Sequence, residues 1–243
     1  MPQKPKIKSL SRQSLTDSVR QQLTHLIHNQ TWKPGDQLPS EGDLAQRFGV
    51  SKPVVREALR GLAAMRVVEI QHGKLPTVCA PCAEPLEDFF RFAINSRGGN
   101  LREAIELRRA LETYMIKLAA ARITEEEIRE LEECVGELRL NTEAIDPWVN
   151  ADLKFHRLIA KSTKNGLMLH LTEALGELVR ETIRAMHSQR KLRDSQATLR
   201  RHVQIFEALK ARDPQRAMQA MTEHFDATEP VVRALVEGGI ARK

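Results

Sequence analysis

Apolar positions along the chain repeat at helical spacing and break at recognisable signals. Leu15, Val19, Leu23, Leu26 and Ile27 form a stripe that predicts a first helix over residues 14–30. A turn at Pro34-Gly35-Asp36 follows. Ser40 then offers an N-cap to a short helix that turns Leu44, Ala45 and Phe48 inward and stops at Gly49. Ser51 opens the next helix, over residues 52–65, with Val55, Ala58, Leu59 and Leu62 on its apolar face. Pro53 is tolerated there because the first N–H groups of a helix have no helical acceptor. Residues 67–70 and 77–78, β-branched around a turn at His72-Gly73-Lys74, predict a short hairpin.

Pro76, Pro81 and Pro85 mark a linker, and the rest of the pattern is helical. Helices are predicted over 86–96, 101–122, 125–140, 147–162, 166–189, 195–211 and 214–236. Asn100 reads as the cap of the second of these, and Thr124 with Glu127 as a capping box for the third. Asp146-Pro147 and Asp213-Pro214 each read as an N-cap followed by proline at the first helical position. Short connections predict an antiparallel packing of these helices. The fold class is therefore mainly α. A winged helix-turn-helix is expected over 10–80 and a linker with a connecting helix over 81–100. The main body of an all-helical antiparallel bundle of about seven helices is expected over 101–238.

Composition agrees with this layout. Aromatic residues are only 4% and charged residues 29%, so aliphatic side chains carry the core. No run of about 18 apolar residues exists and no apolar stretch follows the basic start. Neither a membrane partner nor a signal peptide is expected, and the expected location is cytoplasmic. Three cysteines give no disulfide framework. Cys79-Ala80-Pro81-Cys82 has neither a βαβ context nor a second pair, and reads as linker. Charge changes the picture more. The net charge is +6, and the first 83 residues hold twelve Lys and Arg against six Asp and Glu, while the remainder balances. An excess confined to one third of the chain is the footprint of a polyanion-binding unit joined to a neutral one. A basic solvated face is the alternative.

Two short helices joined at a glycine turn, then a hairpin, in that basic third, describe a DNA-reading motif. The second helix would offer Ser51, Lys52 and Arg56 at its start. Arg56 could pair bidentately with guanine, and Lys52 could meet phosphate or guanine. The competing role for Arg56 is a surface ion pair with Glu57 or Glu41. The run from Pro34-Gly35-Asp36-Gln37-Leu38-Pro39-Ser40-Glu41 through Leu44-Ala45 to Gly49-Val50-Ser51-Lys52-Pro53-Val54-Val55-Arg56-Glu57-Ala58-Leu59 closely resembles the GntR family of bacterial regulators. The resemblance implies a homodimer on a pseudo-palindromic, double-stranded DNA operator. It places Pro53 and Val54 beside Ser51, Lys52 and Arg56 at the DNA. Residues 70–74 resemble the wing of the FadR subfamily, which implies minor-groove contacts from His72 and Gly73. Gly42 and Lys52 stand where the family usually has arginine, and the wing tip reads Gly73-Lys74-Leu75-Pro76 in place of Gly-x-Gly-Thr. The operator is therefore expected to differ from the commonest family sequence.

Asp152 and His156 stand four apart on one predicted helix, with His202 and His224 on two later ones. A carboxylate and three imidazoles from three helices suit a transition-metal ion. On spacing alone they could equally be satisfied polar core residues. Residues 105–236, however, resemble an FCD domain, the helical effector unit of the FadR subfamily. The matching runs are Glu106-Leu107-Arg108-x-x-x-Glu112 with Leu118-Ala119-Ala120, and Asp152-x-x-Phe155-His156. His202-x-x-Ile205-x-x-Ala208-Leu209 and Ala217-x-x-x-Met221-x-x-His224 complete the match. The resemblance implies that Asp152, His156, His202 and His224 ligate a divalent metal ion. Zinc is the first expectation, with nickel and manganese as alternatives. It also implies a small organic carboxylate as effector. Arg108 is expected to pair with that carboxylate or with Glu112. Asn165 occupies an effector position of the family and also reads as a helix cap, the simpler role. His170 and His187 read as core or surface histidines. Together these features predict a ligand-responsive transcriptional regulator, a repressor by family habit, and no enzyme. The other readings are a purely structural metal with a different effector, and a metalloenzyme fused to a DNA-binding head.

Overall fold

The computed structural model describes residues 13–96, 101–188 and 194–237. It divides into two compact units, Met1–Pro85 and Leu86–Lys243. The first holds α1 (Gln13–His28), α2 (Glu41–Phe48), α3 (Lys52–Ala64), β1 (Val68–Glu69) and β2 (Thr77–Val78). One face of each helix builds its core. Val19 and Leu23 come from α1, Leu44 and Ala45 from α2, and Val55, Ala58, Leu59 and Leu62 from α3. Leu38, Val68 and Val78 close it. The predicted stripe of α1 is shortened: Leu15 is exposed and Leu26 only half-buried. α1 packs on α3, and Val19, Leu23 and Ile27 fill that contact.

α2 begins at Ser40, whose Oγ accepts the N–H of Asp43 at 3.1 Å. It ends at Gly49, φ +65°, a left-handed conformation that L side chains rarely adopt. Gly49 thereby sets the turn into α3. Ser51 holds the N-cap position of α3 with extended backbone, but its side chain makes no capping bond. The hairpin pairs Val68 with Val78 and Glu69 with Thr77, less than the predicted strand of 67–70. A third segment, unforeseen in the sequence, joins it. Gln37 bridges Thr77, Val78 N–H donates to Asp36 O at 2.9 Å, and Leu38 N–H donates to Pro76 O at 2.7 Å. The Pro34-Gly35-Asp36 turn therefore anchors the base of the wing.

The helices that follow are α4 (Glu84–Ser96), α5 (Leu101–Arg122), α6 (Glu125–Leu140), α7 (Ile145–Ser162) and α8 (Gly166–Ser188). α9 (Ser195–Lys210), α10 (Pro214–Asp226) and α11 (Glu229–Glu237) complete the chain. α5 packs along α10, α7 along α6 and α8, and α9 along α10. The largest core cluster gathers Ile116, Leu131, Leu138, Trp148, Phe155, Ile205 and Met221 from five of them. Cys134 is buried here; its thiol donates to Ala151 O at 3.3 Å, and burial pushes its pKa up to about 12. No helix of the described residues is long and apolar enough to cross a membrane.

Two expectations about helix ends change. α7 starts at Ile145, with Ala144 as its cap, so Asp146 lies in the first turn and pairs with Arg184 at 3.1 Å. Proline is tolerated throughout a first turn, which is why Pro147 does not mark the start. The predicted helix over 214–236 is two helices. Pro230 has no N–H for the carbonyl of Asp226, and its ring would clash there. Thr228 takes over instead: its Oγ1 donates to Phe225 O at 2.7 Å and its carbonyl accepts from Val231 and Val232. The second unit thus shows eight helices among the described residues rather than seven. Asn100, expected as a cap, lies outside the described residues, as does residue 189 at the predicted end of α8. Asp213 does cap α10, accepting from Gln215 and Arg216 N–H.

The capping box of α6 is complete. Thr124 Oγ1 accepts from Glu127 N–H at 3.3 Å, and Glu127 Oε2 accepts from Thr124 N–H at 3.1 Å. Thr124→Ala should lower the stability of the helical unit by about 1 kcal/mol. The measurement is urea unfolding: the midpoint should fall with the m-value unchanged.

Candidate functional site

The start of α3 presents one exposed polar face. Ser51, Lys52, Pro53 and Arg56 are exposed, while Val54 is half-buried against the core. His72 and Gly73 are exposed at the wing tip, where Gly73 takes φ +74°. Arg56 is held by Glu41 of α2. Its Nε lies 3.0 Å and its Nη2 2.7 Å from Glu41 Oε2. The hydrogen bond from Arg56 is the main force holding the Glu41 carboxyl below its usual range. The pair is half exposed, so screening by water keeps it weak and exchangeable. The two departures from the family pattern prove to be neighbours. A Cβ on Gly42 would stand 3.3 Å from Lys52 Cε and 3.5 Å from its Nζ. The stem of Lys52 therefore lies across the space that a side chain at 42 would need.

In the helical unit, α7, α9 and α10 bring Asp152, His156, His202 and His224 together, all buried. Ligand-capable atoms of the three imidazoles lie within 4.8 Å of one another. Each ring has a separate hold. His156 Nδ1 meets Glu112 Oε2 of α5 in a short contact. His202 Nδ1 lies 2.9 Å from Thr198 O, an acceptor, and its Nε2 lies 3.0 Å from Asp152 Oδ1, a second acceptor. A neutral imidazole carries one N–H. Both ring nitrogens of His202 thus face oxygen acceptors, an arrangement that suits a cation held beside Nε2 and Asp152 Oδ1. His156 Nε2 and His224 Nδ1 are sealed from solvent without hydrogen-bond partners. The donor set and these orphaned nitrogens fit a divalent ion.

The electrostatics favour ligand-ready forms. Burial, reinforced by His202 and His156, holds the His224 imidazole well below its ordinary pKa and so neutral. Burial would raise the Asp152 carboxyl. The hydrogen bond with His202 and the nearby His156, His202 and Arg108 outweigh that effect and hold it well below the usual carboxylate range. Glu112 follows the same pattern: burial opposes ionisation, and Arg108 and His156 overcome it.

Arg108 satisfies one of its two expected roles directly. Its Nε donates to Glu112 Oε1 at 2.6 Å. Its Nη2 is buried without a hydrogen bond, 4.0 Å from Asp152 Oδ2. Arg108, Asp152 and His224 line one cavity of about 90 Å³, together with Trp148, His187 and Arg201. Asn165 does not line it. Its Oδ1 accepts from Leu167 N–H at 3.0 Å and from Met168 N–H at 3.4 Å, so it caps α8. Four residues of the site escaped the sequence reading. Glu112 was seen only as the neighbour of Arg108, although its spacing of four from an arginine in a matched run was the available signal. His187, read as core or surface, stacks on Trp148 with ring centroids 4.9 Å apart. Nothing in the local sequence marks Trp148 or Arg201.

Known proteins share this organisation. The family described as bacterial regulatory proteins, gntR family, matches residues 15–76, and the FCD domain matches residues 103–227. The FCD domain is associated with metal binding in general. The HTH-type transcriptional repressor NanR of Enterobacter sp. (strain 638) is 26% identical, covering 96% of this chain and 91% of its own. The uncharacterized HTH-type transcriptional regulator YcbG of Bacillus subtilis (strain 168) is 31% identical, covering 90% of this chain and 91% of its own. Among solved structures, Streptococcus agalactiae GntR is 27% identical, with a TM-score of 0.72 over 90% of this chain and 99% of that one. The chain belongs to the gntR family of bacterial regulatory proteins, DNA-binding transcriptional regulators rather than enzymes, with an FCD domain as its helical unit.

Proposed function

We propose that this chain is a cytoplasmic, homodimeric repressor of metabolic genes. It binds a pseudo-palindromic operator through α3 and the wing, and senses a small organic carboxylate at a metal centre in the helical unit. One observation carries the metal and effector reading. His156 Nε2, His224 Nδ1 and Arg108 Nη2 are buried without hydrogen-bond partners, and Arg108 and His224 line one cavity. Folded proteins leave few such atoms unsatisfied, and a cluster of them calls for a bound group. Asp152, His156, His202 and His224 are the proposed ligands. Zinc suits this set, and nickel or manganese are the alternatives it accepts.

When bound, the ion supplies a positive centre that attracts an anionic oxygen. The chain's own residues do the rest. Glu112 orients the ring of His156 and leaves its Nε2 lone pair for the ligand role, and Thr198 does the same for His202. Arg108 Nη2 offers a buried N–H to an effector carboxylate. Trp148, Ile105 and Ile183 wall the cavity against water. Effector binding repacks the helices and alters the spacing of the two DNA-reading units of the dimer, to which operator affinity is sensitive. At the DNA, Arg56 exchanges Glu41 for a base edge, with Ser51, Lys52, Pro53 and Val54 beside it and His72 and Gly73 in the minor groove. Exposed Phe89, Phe92 and Leu107 border one groove and support a contact with a second copy. The role printed for NanR supports repression as the sign. The small cavity favours a second reading, a purely structural ion. In that case zinc raises the melting temperature and no carboxylate raises it further.

Three outcomes test the proposal. Elemental analysis of zinc-loaded protein should find about one ion per chain, and Asp152→Ala or His202→Ala should remove it. A wild type that takes up no metal overturns the ligand set. In metal-free protein, neutral buried His224 means that the folded state binds fewer protons than the unfolded chain below about pH 6.5. Its contribution to stability is whole above that pH and is lost as the pH falls. Asp152 and Glu112, held low, add their loss only below about pH 4. The melting temperature should thus drop from about pH 7.5 to about pH 5.5, and His224→Asn should flatten that segment. Finally, Arg56→Ala should weaken operator binding by about tenfold or more with the dimer still folded. Unchanged affinity in a gel-shift titration would remove Arg56 from the interface.

A further inference from the structure

We infer that the effector carries two acidic groups and that Arg201 of α9 anchors the second. The inference rests on the metal and effector reading above and narrows it to a small dianion. Asp194, Thr198 and Arg201 recur along one face of α9 and line the same cavity as Arg108, Asp152 and His224. Arg201 Nη2 donates to Thr198 Oγ1 at 3.2 Å. Its Nε is sealed from solvent and has no partner among the described residues. Burial works against its charge, and Asp194 offsets that only in part. The Asp194 carboxylate is already engaged: it caps α9 through Ala197 N–H at 2.8 Å and lies 3.6 Å from Arg200. Arg201 therefore brings a half-buried positive charge and an unused donor to the cavity without an ion pair among the described residues.

The pairing of the lining charges points the same way. Two guanidiniums, Arg108 and Arg201, line the cavity. Arg108 is matched by Glu112, and the lining carboxylates Asp152 and Asp194 are engaged by His202 and by the α9 cap, so Arg201 keeps a donor for a second acidic group. Apolar Ile105, Trp148, Ile183 and Met186 line the same cavity, which at about 90 Å³ admits a short acid of few carbons. The second group can be a carboxylate or a phosphate, since a guanidinium fork binds either.

The test is calorimetric titration of full-length, zinc-loaded protein. The probes are succinate and glutarate, their monoacid counterparts butyrate and valerate, and phosphoglycolate as the phosphate-bearing dianion. At least one dianion should bind about tenfold or more tighter than the monoacids, the worth of one charge-assisted contact. The tightest dianion identifies the second group as carboxylate or phosphate. Arg201→Gln should erase the preference and leave monoacid affinity and zinc content unchanged, whereas Arg201→Lys should keep part of it. Monoacids that bind as tightly as dianions overturn the inference but leave the carboxylate-sensing reading standing. So does an Arg201→Gln variant that weakens both classes equally or loses zinc. If no acid of either kind binds, both the inference and the effector reading fall, and the structural-metal reading takes their place.

Discussion

A charge buried without a partner costs several kcal/mol, and the helical unit buries an arginine and two carboxylates among three imidazoles. Its helix registers depend on how those groups are matched. Arg108 and Glu112 lie on α5, and Glu112 reaches His156 on α7. Asp152, one turn before His156, reaches His202 on α9. Apolar packing of leucine and alanine tolerates small slides between helices. Polar contacts of this kind do not, because a slide strands a buried charge. The same cluster that offers ligand atoms also fixes where α5, α7 and α9 stand relative to one another.

The first unit meets a different constraint. It is small, and its sheet has two residues per strand. Leu38, Val68 and Val78 bring that sheet into the helical core, and the backbone bonds of residues 36–38 widen it at its base. The wing tip beyond carries no core duty, which leaves residues 71–75 exposed. On α3 the division is equally sharp: Val55, Ala58, Leu59 and Leu62 face inward while Lys52, Arg56 and Arg60 face out. Position 42 and position 52 share one space, so a change at either alters the freedom of the other.

Most of the fold was legible because helices announce themselves locally. The capping box at Thr124 and the caps at Ser40 and Asp213 form as the sequence suggests. Asp146-Pro147 misled because proline is compatible with any first-turn position, so the dipeptide bounds a helix start without naming it. Pro230 was overlooked within a continuous apolar pattern, although its missing N–H is what divides α10 from α11. The metal-ligand candidates were legible as types at a spacing, since Asp152 and His156 share a helix face. Their convergence with His202 and His224 is tertiary, and so is the role of Glu112. Trp148 and Arg201 carry no local mark; only packing brings them to the cavity.

The junction between α10 and α11 has a consequence for how such a pocket can diverge. Phe225, Ala227, Thr228 and Val231, all at or beside this break, line the cavity. An uninterrupted helix would carry the chain straight past that point with its backbone bonds closed. Moving or removing one pyrrolidine ring would therefore reshape the cavity wall while leaving Asp152, His156, His202 and His224 in place. Ligand preference can drift among descendants of this architecture through a residue that touches no ligand, with the charged interior inherited intact.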